Sequence, residues 1–297
     1  MDLRASDALV RALENEGVER IFGLPGEENL HLVESIRRSG IELVLTRHEQ
    51  AAAFMAATHG RLTGRPGVCL TTLGPGALNL STGAAYALLG GMPMVMITGQ
   101  KGILSAAQAR FQIVDTVAAT TPLTKMTRQI ASPAMIPTMI REAFRVAQAE
   151  RPGPVHLELP EDIAAAPVEE IRLIPPHHTE QPVGCPAAIA AAAEVVRGAE
   201  RPLIMLGADA ARPRCCHALS GFVARMQIPY VTTQMGKGTV SGATDLYLGT
   251  AALTEDDYVQ RIVWIAGVVQ TGLYCDFFYH YYESKKGGMN KAVKLPV

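Results

Sequence analysis

Val68-Cys-Leu-Thr-Thr-Leu-Gly-Pro-Gly-Ala-Leu-Asn79 is the stretch from which the rest of the chain is best read. Val68 to Leu73 is apolar or β-branched and reads as a buried strand; Gly74-Pro-Gly76 breaks the run, and a small-residue helical stretch follows. A strand handing over to a helix through a tight glycine turn is the repeating unit of an open parallel sheet. The handover lies at the carboxyl edge of such a sheet, where ligands bind.

The same unit recurs on both sides. Upstream, Val18 to Phe22 runs into the turn Gly23-Leu-Pro-Gly26, and Leu30, Val33 and Ile36 then follow at helical spacing up to a stop at Gly40. Ile41 to Leu45 precedes a helix from about Glu49 to Leu62, and Asp7 to Glu16 forms an earlier helix with Ser6 as N-cap and Gly17 as its end. Downstream come a helix, a strand at Met94 to Thr98, an amphipathic helix over Ser132 to Glu150, and a strand at Val155 to Leu159. Short apolar runs alternating with helices predict an α/β domain whose parallel sheet is covered on both faces.

Pro160 to Pro186 is proline-rich and polar and suits an extended connector. Beyond it the rhythm restarts with helix Ala187 to Arg197, strand Leu203 to Leu206, helix Cys215 to Met226 and strand Tyr230 to Thr233. The expected organisation is a first domain at 1–165, a linker at 166–186, a partial Rossmann-like middle domain at 187–261 and a divergent tail at 262–297. The tail stands apart in composition. Residues 1–261 hold all 20 arginines and three lysines, whereas 262–297 hold four lysines and no arginine, with six of the sixteen aromatics crowded into Tyr274 to Tyr282. The reading adopted is that this tail is not the natural continuation of the fold, as after a shifted reading frame; a solvated or partner-binding segment is the alternative.

Composition narrows the function. The 297 residues are 48% hydrophobic and 19% charged, with 27 Lys+Arg against 28 Asp+Glu, so no cationic excess exists to meet a nucleic-acid backbone. The most apolar stretch, Gly83 to Gly99, is interrupted by Gly90, Gly91 and Pro93 and predicts a buried helix and strand rather than a membrane span. Met1-Asp-Leu-Arg-Ala-Ser has charges where a secretory signal needs an apolar core, and five irregularly spaced cysteines form neither a disulfide framework nor a paired zinc motif. A cytoplasmic chain is expected.

Neither glycine turn is a phosphate loop or a G-x-G-x-x-G dinucleotide fingerprint, which counts against nucleotide hydrolysis, hydride transfer and a simple nucleotide-binding Rossmann protein. Arg47-His-Glu-Gln50 puts Glu49 in the first turn of a helix whose next residues are almost all Ala, Phe and Met. A helix N-terminus favours an acid without any catalytic purpose. Buried against those side chains, however, the same carboxyl could hold and share a proton near neutrality. His48 reads as a capping or packed residue. The histidines show no metal spacing, and no protein-only metal site is expected.

In order, Phe22-Gly-Leu-Pro-Gly26, Arg47-His-Glu-Gln50, Leu73-Gly-Pro-Gly-Ala-Leu-Asn79, Pro93-Met-Val-Met-Ile-Thr-Gly-Gln100, Arg110-Phe-Gln-Ile-Val-Asp115 and Arg151-Pro-Gly-Pro-Val-His-Leu-Glu-Leu-Pro160 closely resemble the pyrimidine-binding domain of thiamine diphosphate enzymes. The chain looks most like the acetolactate synthase catalytic subunit, over residues 1 to about 260. The resemblance implies that Glu49 hydrogen-bonds a ring nitrogen of the cofactor's aminopyrimidine and promotes its imino tautomer. It implies that Pro25 and Gly26 line the active site, that Pro75 and Asn79 pack beside the aminopyrimidine, and that Gln112 faces cofactor and substrate. A 2-oxo acid such as pyruvate is the implied substrate, with thiamine diphosphate supplying the electron sink.

The chain also departs from that pattern. Where the family commonly has Pro-Gly-Gly, the sequence reads Pro25-Gly26-Glu27, so the contact of the second glycine does not carry over. The family's diphosphate-binding domain carries a Gly-Asp-Gly motif, which occurs nowhere in these residues. Only the pyrimidine end of the cofactor is therefore expected here, and magnesium only together with that other domain. The resemblance implies a homo- or hetero-oligomer with a chain that carries the diphosphate domain, and a fragment inactive by itself. The alternative is a non-catalytic partner that lends its pyrimidine domain to a separate chain. Leu203-Ile-Met-Leu-Gly-Ala-Asp209 and Gln234-Met-Gly-Lys-Gly238 resemble the family's FAD-binding or vestigial domain; FAD binding and a ligand-free layer both stand open.

Overall fold

Both glycine-proline turns fall at strand ends in the computed structural model, which describes residues 3–104, 110–177, 183–240 and 245–250. The tail expected at 262–297 lies outside the described residues. The chain divides into two units, Met1–Gln181 and Pro182–Val297.

The first unit runs α1 (Ala5–Asn15), β1 (Arg20–Gly23), α2 (Leu30–Arg37), β2 (Glu42–Leu45), α3 (Glu49–Thr63), β3 (Gly67–Thr71), α4 (Gly74–Leu78), α5 (Ser81–Gly90), β4 (Met94–Gln100), α6 (Thr116–Thr120), β5 (Met126–Gln129), α7 (Ile136–Gln148), β6 (Pro154–Pro160) and α8 (Glu161–Ala165). Its six strands form one parallel sheet in the order β2-β1-β3-β4-β6-β5. Every residue of β3, β4 and β6 is buried, as strands covered on both faces require.

The two faces are packed differently. On one, Val68, Leu70, Val95, Ile97, Val155 and Leu157 meet Leu9 and Leu13 of α1 and Met139, Ile140 and Phe144 of α7. Burial of each such side chain contributes about 1.5–3 kcal/mol. The other face is approached through small residues. Ala52, Ala53, Ala56 and Ala57 of α3 are fully buried. A Cβ on Gly67 would stand 2.0 Å from the Ala56 carbonyl oxygen, and one on Gly83 would stand 2.3 Å from the Ala53 Cβ. Backbone-to-backbone approach therefore holds α3 to β3 and to α5.

Three local expectations are corrected. Ser6 is not the N-cap of α1: Asp7 Oδ2 accepts from the Arg4 amide at 2.9 Å, while Ser6 is buried inside the helix and accepts from Ser35 Oγ at 2.9 Å. β3 stops at Thr71 rather than Leu73, because Leu73 is already the N-cap of α4, with Pro75 in its first turn. α7 begins at Ile136 rather than Ser132, with Pro133–Met135 as a separate 3₁₀ turn, since Pro137 lacks an N–H and fits only a first turn. The edge strand β5 is an addition. Its Met-Thr-Arg-Gln sequence carries no apolar run, and it is only partly buried.

Between β4, β6 and α6 lies a buried polar cluster. His156 is fully buried, with Nε2 2.8 Å from Thr98 Oγ1 and Nδ1 2.7 Å and 3.0 Å from Thr127 and Thr120 Oγ1. Burial lowers its pKa from 6.5 to about 4. Between those values the unfolded chain binds a proton that the folded chain refuses, so the stability contributed by neutral His156 is present above pH 6.5 and is lost as pH falls toward 4. The expected loss by pH 4.5 is roughly 2–3 kcal/mol. Urea melts at pH 7.5 and 4.5 test this, with His156→Gln as reference; an equal pH slope in both proteins would show that the histidine does not carry it.

The second unit contains α9 (Pro186–Gly198), β7 (Ile204–Leu206), α10 (Pro213–Met226), β8 (Tyr230–Thr232) and β9 (Tyr247–Thr250). β7, β8 and β9 pair parallel in that order, and Leu206, Val223 and Tyr230 form a small core. The α/β rhythm read after the connector is present, extended by β9. No helix among the described residues is long and apolar enough to cross a membrane.

Candidate functional site

Strand order reverses direction at β1 of the first unit: the chain moves outward to β2 and then crosses back to β3 on the other side. The loops that leave β1 and β3 therefore part from each other at the carboxyl edge and open a crevice, which is the usual ligand position in such sheets. The loops concerned are Gly23-Leu-Pro-Gly26 and Gly74-Pro-Gly76.

The first loop is pinned from several sides. Asn29 Oδ1 accepts from the Gly26 amide at 2.9 Å, Asn29 Nδ2 donates to the Leu24 carbonyl at 3.2 Å, and the Leu24 amide donates to the Leu70 carbonyl at 3.1 Å. A Cβ at Gly26 would stand 2.5 Å from Thr72 Cβ, so only glycine lets this loop lie directly on the loop after β3. Pro25 and Pro75 are exposed at the two tips.

Glu49 opens α3 at the mouth of the crevice. His48 is the N-cap, its Nδ1 accepting from the Gln50 amide at 3.1 Å, so the expected capping role is the one observed. Glu49 itself is only 8% exposed. Asn79 Nδ2 donates to Glu49 Oε2 at 2.9 Å, which joins two of the residues singled out from sequence. Glu49 Oε1 takes no hydrogen bond from the described residues. A Cβ built on Gly76 would stand 3.2 Å from Glu49 Oε1, 2.8 Å from Thr71 Oγ1 and 2.9 Å from Thr72 Cγ2, so the three atoms border one small space.

Gln112 reaches the same edge through its backbone. It is exposed, with φ of 57°, and its carbonyl oxygen lies 2.2 Å from the position of a Gly74 Cβ. Its loop is tied to the sheet by Gln100 Nε2, which donates to the Val114 carbonyl at 3.2 Å and to Glu158 Oε2 at 2.9 Å. Buried Glu158 also accepts from Thr116 Oγ1 and from Gln129 Nε2, the latter at 2.6 Å.

Sequence reading missed the groups that link the loops. Glu28 is 6% exposed; its Oε2 accepts from Thr72 Oγ1 at 2.6 Å and its Oε1 meets Lys101 Nζ at 2.7 Å. Burial by itself would raise the Glu28 carboxyl, but hydrogen bonds from Lys101 and Thr72 and the ammonium charge hold it below its ordinary pKa. With the partners 73 positions apart in the sequence, no spacing rule could have found this pair. Cys69, one turn of the pleat from Thr71, is pushed up to about 12 by burial and is no nucleophile.

Glu49 is thus bonded to Asn79 and faces Gly76, Gly26 and Gly76 both lie against Thr72, Gly74 lies against the Gln112 carbonyl, and Pro25 and Pro75 are exposed on the same two loops. The surface clefts lined by Asp7, Arg11, Glu14 and Arg38, and by Glu16, Arg20, His59 and Arg65, contain none of these residues. Among the described residues no three His, Cys, Asp or Glu side chains converge as a metal set.

Residues 3–119 match the thiamine pyrophosphate enzyme N-terminal TPP binding domain, and residues 189–269 match the central domain of the same enzymes. The chain is 37% identical over 257 residues to the probable acetolactate synthase large subunit of Methanocaldococcus jannaschii, with 84% of this chain and 44% of the relative covered. It is 36% identical over 268 residues to the acetolactate synthase large subunit of Lactococcus lactis, covering 86% and 47%. It is also 36% identical over 253 residues to a probable 2-ketoarginine decarboxylase of Pseudomonas aeruginosa, covering 84% and 45%. The chain spans less than half the length of these relatives. Through its N-terminal and central domains the chain belongs to the thiamine pyrophosphate enzyme family.

Proposed function

We propose that the chain forms the pyrimidine side of a thiamine diphosphate-dependent enzyme of the acetolactate synthase type, acting on a 2-oxo acid such as pyruvate. The single observation that carries this reading is the Glu49 carboxyl: buried at the crevice, with Oε2 held by Asn79 and Oε1 left for a ligand. An aminopyrimidine fits such a group, because its ring nitrogen can share a proton with a carboxyl kept from water. The glycines at 26 and 76 keep the space clear. When bound, the cofactor supplies the electron sink for decarboxylation and carbon–carbon bond formation.

The chain's own residues then have distinct tasks. Glu49 holds and returns a proton at Oε1, Asn79 fixes the carboxyl's orientation, Pro25, Gly26 and Pro75 shape the crevice, and Gln112 faces the substrate side. Diphosphate and magnesium are held by a domain outside these residues, so turnover needs an assembly that includes it. Simple decarboxylation without carboligation is a second reading, favoured by the equally similar 2-ketoarginine decarboxylase.

The test is to mix the purified chain with a diphosphate-binding domain from an intact relative, add thiamine diphosphate, magnesium and pyruvate, and measure carbon dioxide and acetolactate. Neither product is expected from either part alone, and acetolactate is expected from the mixture. Carbon dioxide without acetolactate selects the second reading. A mixture that neither binds the cofactor nor releases carbon dioxide overturns both.

A further inference from the structure

Thr71 ends β3 with its side chain fully buried, and its Oγ1 has no hydrogen-bond partner. Leaving a buried hydroxyl unsatisfied is unfavourable, and such groups are rare enough to demand a reason. Alternation along β3 puts Thr71 on the same face as Gly67, which lies against Ala56 of α3, the helix that Glu49 opens. At the upper end of that face, Thr71 Oγ1 and Glu49 Oε1 lie 2.8 Å and 3.2 Å from one point, the place a Gly76 Cβ would occupy. The unsatisfied hydroxyl and the carboxylate oxygen that Asn79 leaves free thus border the same small space.

We propose that Thr71 is a positioning residue for Glu49: when an aminopyrimidine orders the carboxyl, the Thr71 hydroxyl donates to Oε1 while Asn79 holds Oε2. The hydroxyl has no solvent access and acts through the carboxyl rather than on the ligand. Two held oxygens fix the plane of the carboxyl, and with it the direction in which its proton is offered. This rests on the role proposed for Glu49, and adds the residue that completes its support.

The two states of the chain respond to loss of the hydroxyl in opposite ways. Valine matches threonine in shape and removes only the orphan group, so Thr71→Val should leave the melting temperature of the ligand-free chain unchanged or slightly raised. The same variant should bind the pyrimidine half of thiamine, 4-amino-5-hydroxymethyl-2-methylpyrimidine, about five- to tenfold more weakly. Thr71→Ser, which keeps the hydroxyl, should restore affinity to within about twofold. Calorimetric titration of the full chain at millimolar ligand, with Glu49→Gln alongside, reads all of this. If affinity depends on Glu49 but Thr71→Val leaves it unchanged, the Thr71 assignment alone is overturned. Wild type and Glu49→Gln binding alike, or neither binding, overturns the Glu49 reading and this inference with it. A ligand-free Thr71→Val that melts several degrees lower shows that the hydroxyl serves the fold, and also overturns the assignment.

Discussion

Glu49→Gln is expected to lower acetolactate formation by the reconstituted mixture at least about 100-fold, the usual scale for removing a positioned proton-sharing group. The substitution keeps the volume and leaves an amide oxygen to accept from Asn79 Nδ2, as Glu49 Oε2 now does at 2.9 Å. Geometry at the start of α3 should therefore survive, and the variant should melt within a few degrees of wild type. What is lost is the capacity to pass a proton at Oε1. Both quantities need measuring on the same preparation. Near-normal turnover would remove Glu49 from the chemistry, whereas lost turnover with a collapsed melting temperature would assign it to the fold.

A second large effect is expected where no ligand is involved. Gly67→Ala places a methyl carbon 2.0 Å from the Ala56 carbonyl oxygen and 2.7 Å from its carbon, both backbone atoms that no rotamer change can move aside. Either β3 leaves its register or α3 is pushed off the sheet, and a cost of about 3 kcal/mol or more is expected, at the upper end for overpacking. Gly40→Ala is the matching control. Its new carbon would meet only Glu14 Oε1, at an ordinary 3.7 Å, and it should cost within about 0.5 kcal/mol. Urea unfolding of the three proteins decides the matter; equal midpoints would mean that α3 does not ride as close to β3 as described.

Fold class was legible because the strands that matter are short apolar runs bounded by glycine and proline. Cys69 and Met96 sit in wholly buried strands, and the sequence around them has no competing reading. β5 was illegible because an edge strand need not be apolar, and Thr127 and Gln129 serve it by hydrogen-bonding His156 and Glu158 instead. At the site, Glu49, Asn79 and the two glycine turns could be named through a resemblance of ordered motifs. Their mutual contact could not. Thr72 and Lys101 look like unremarkable loop residues until the sheet brings them to Glu28, which depends on strand order rather than on spacing. Thr71 did leave a trace, as a polar residue in an otherwise apolar strand, but its missing partner is visible only in three dimensions.

The run Ala52, Ala53, Ala56 and Ala57 has a consequence for anyone who ranks positions by how sharply substitutions are depleted in a mutational library. Each of these alanines is fully covered, so any larger side chain there would be purged as severely as a change at a reacting group, although a methyl side chain carries no group that could react. Cellular abundance separates the two classes. Replacements along the alanine row should deplete the protein itself, while those at the head of the same helix should leave normal amounts of an inert one.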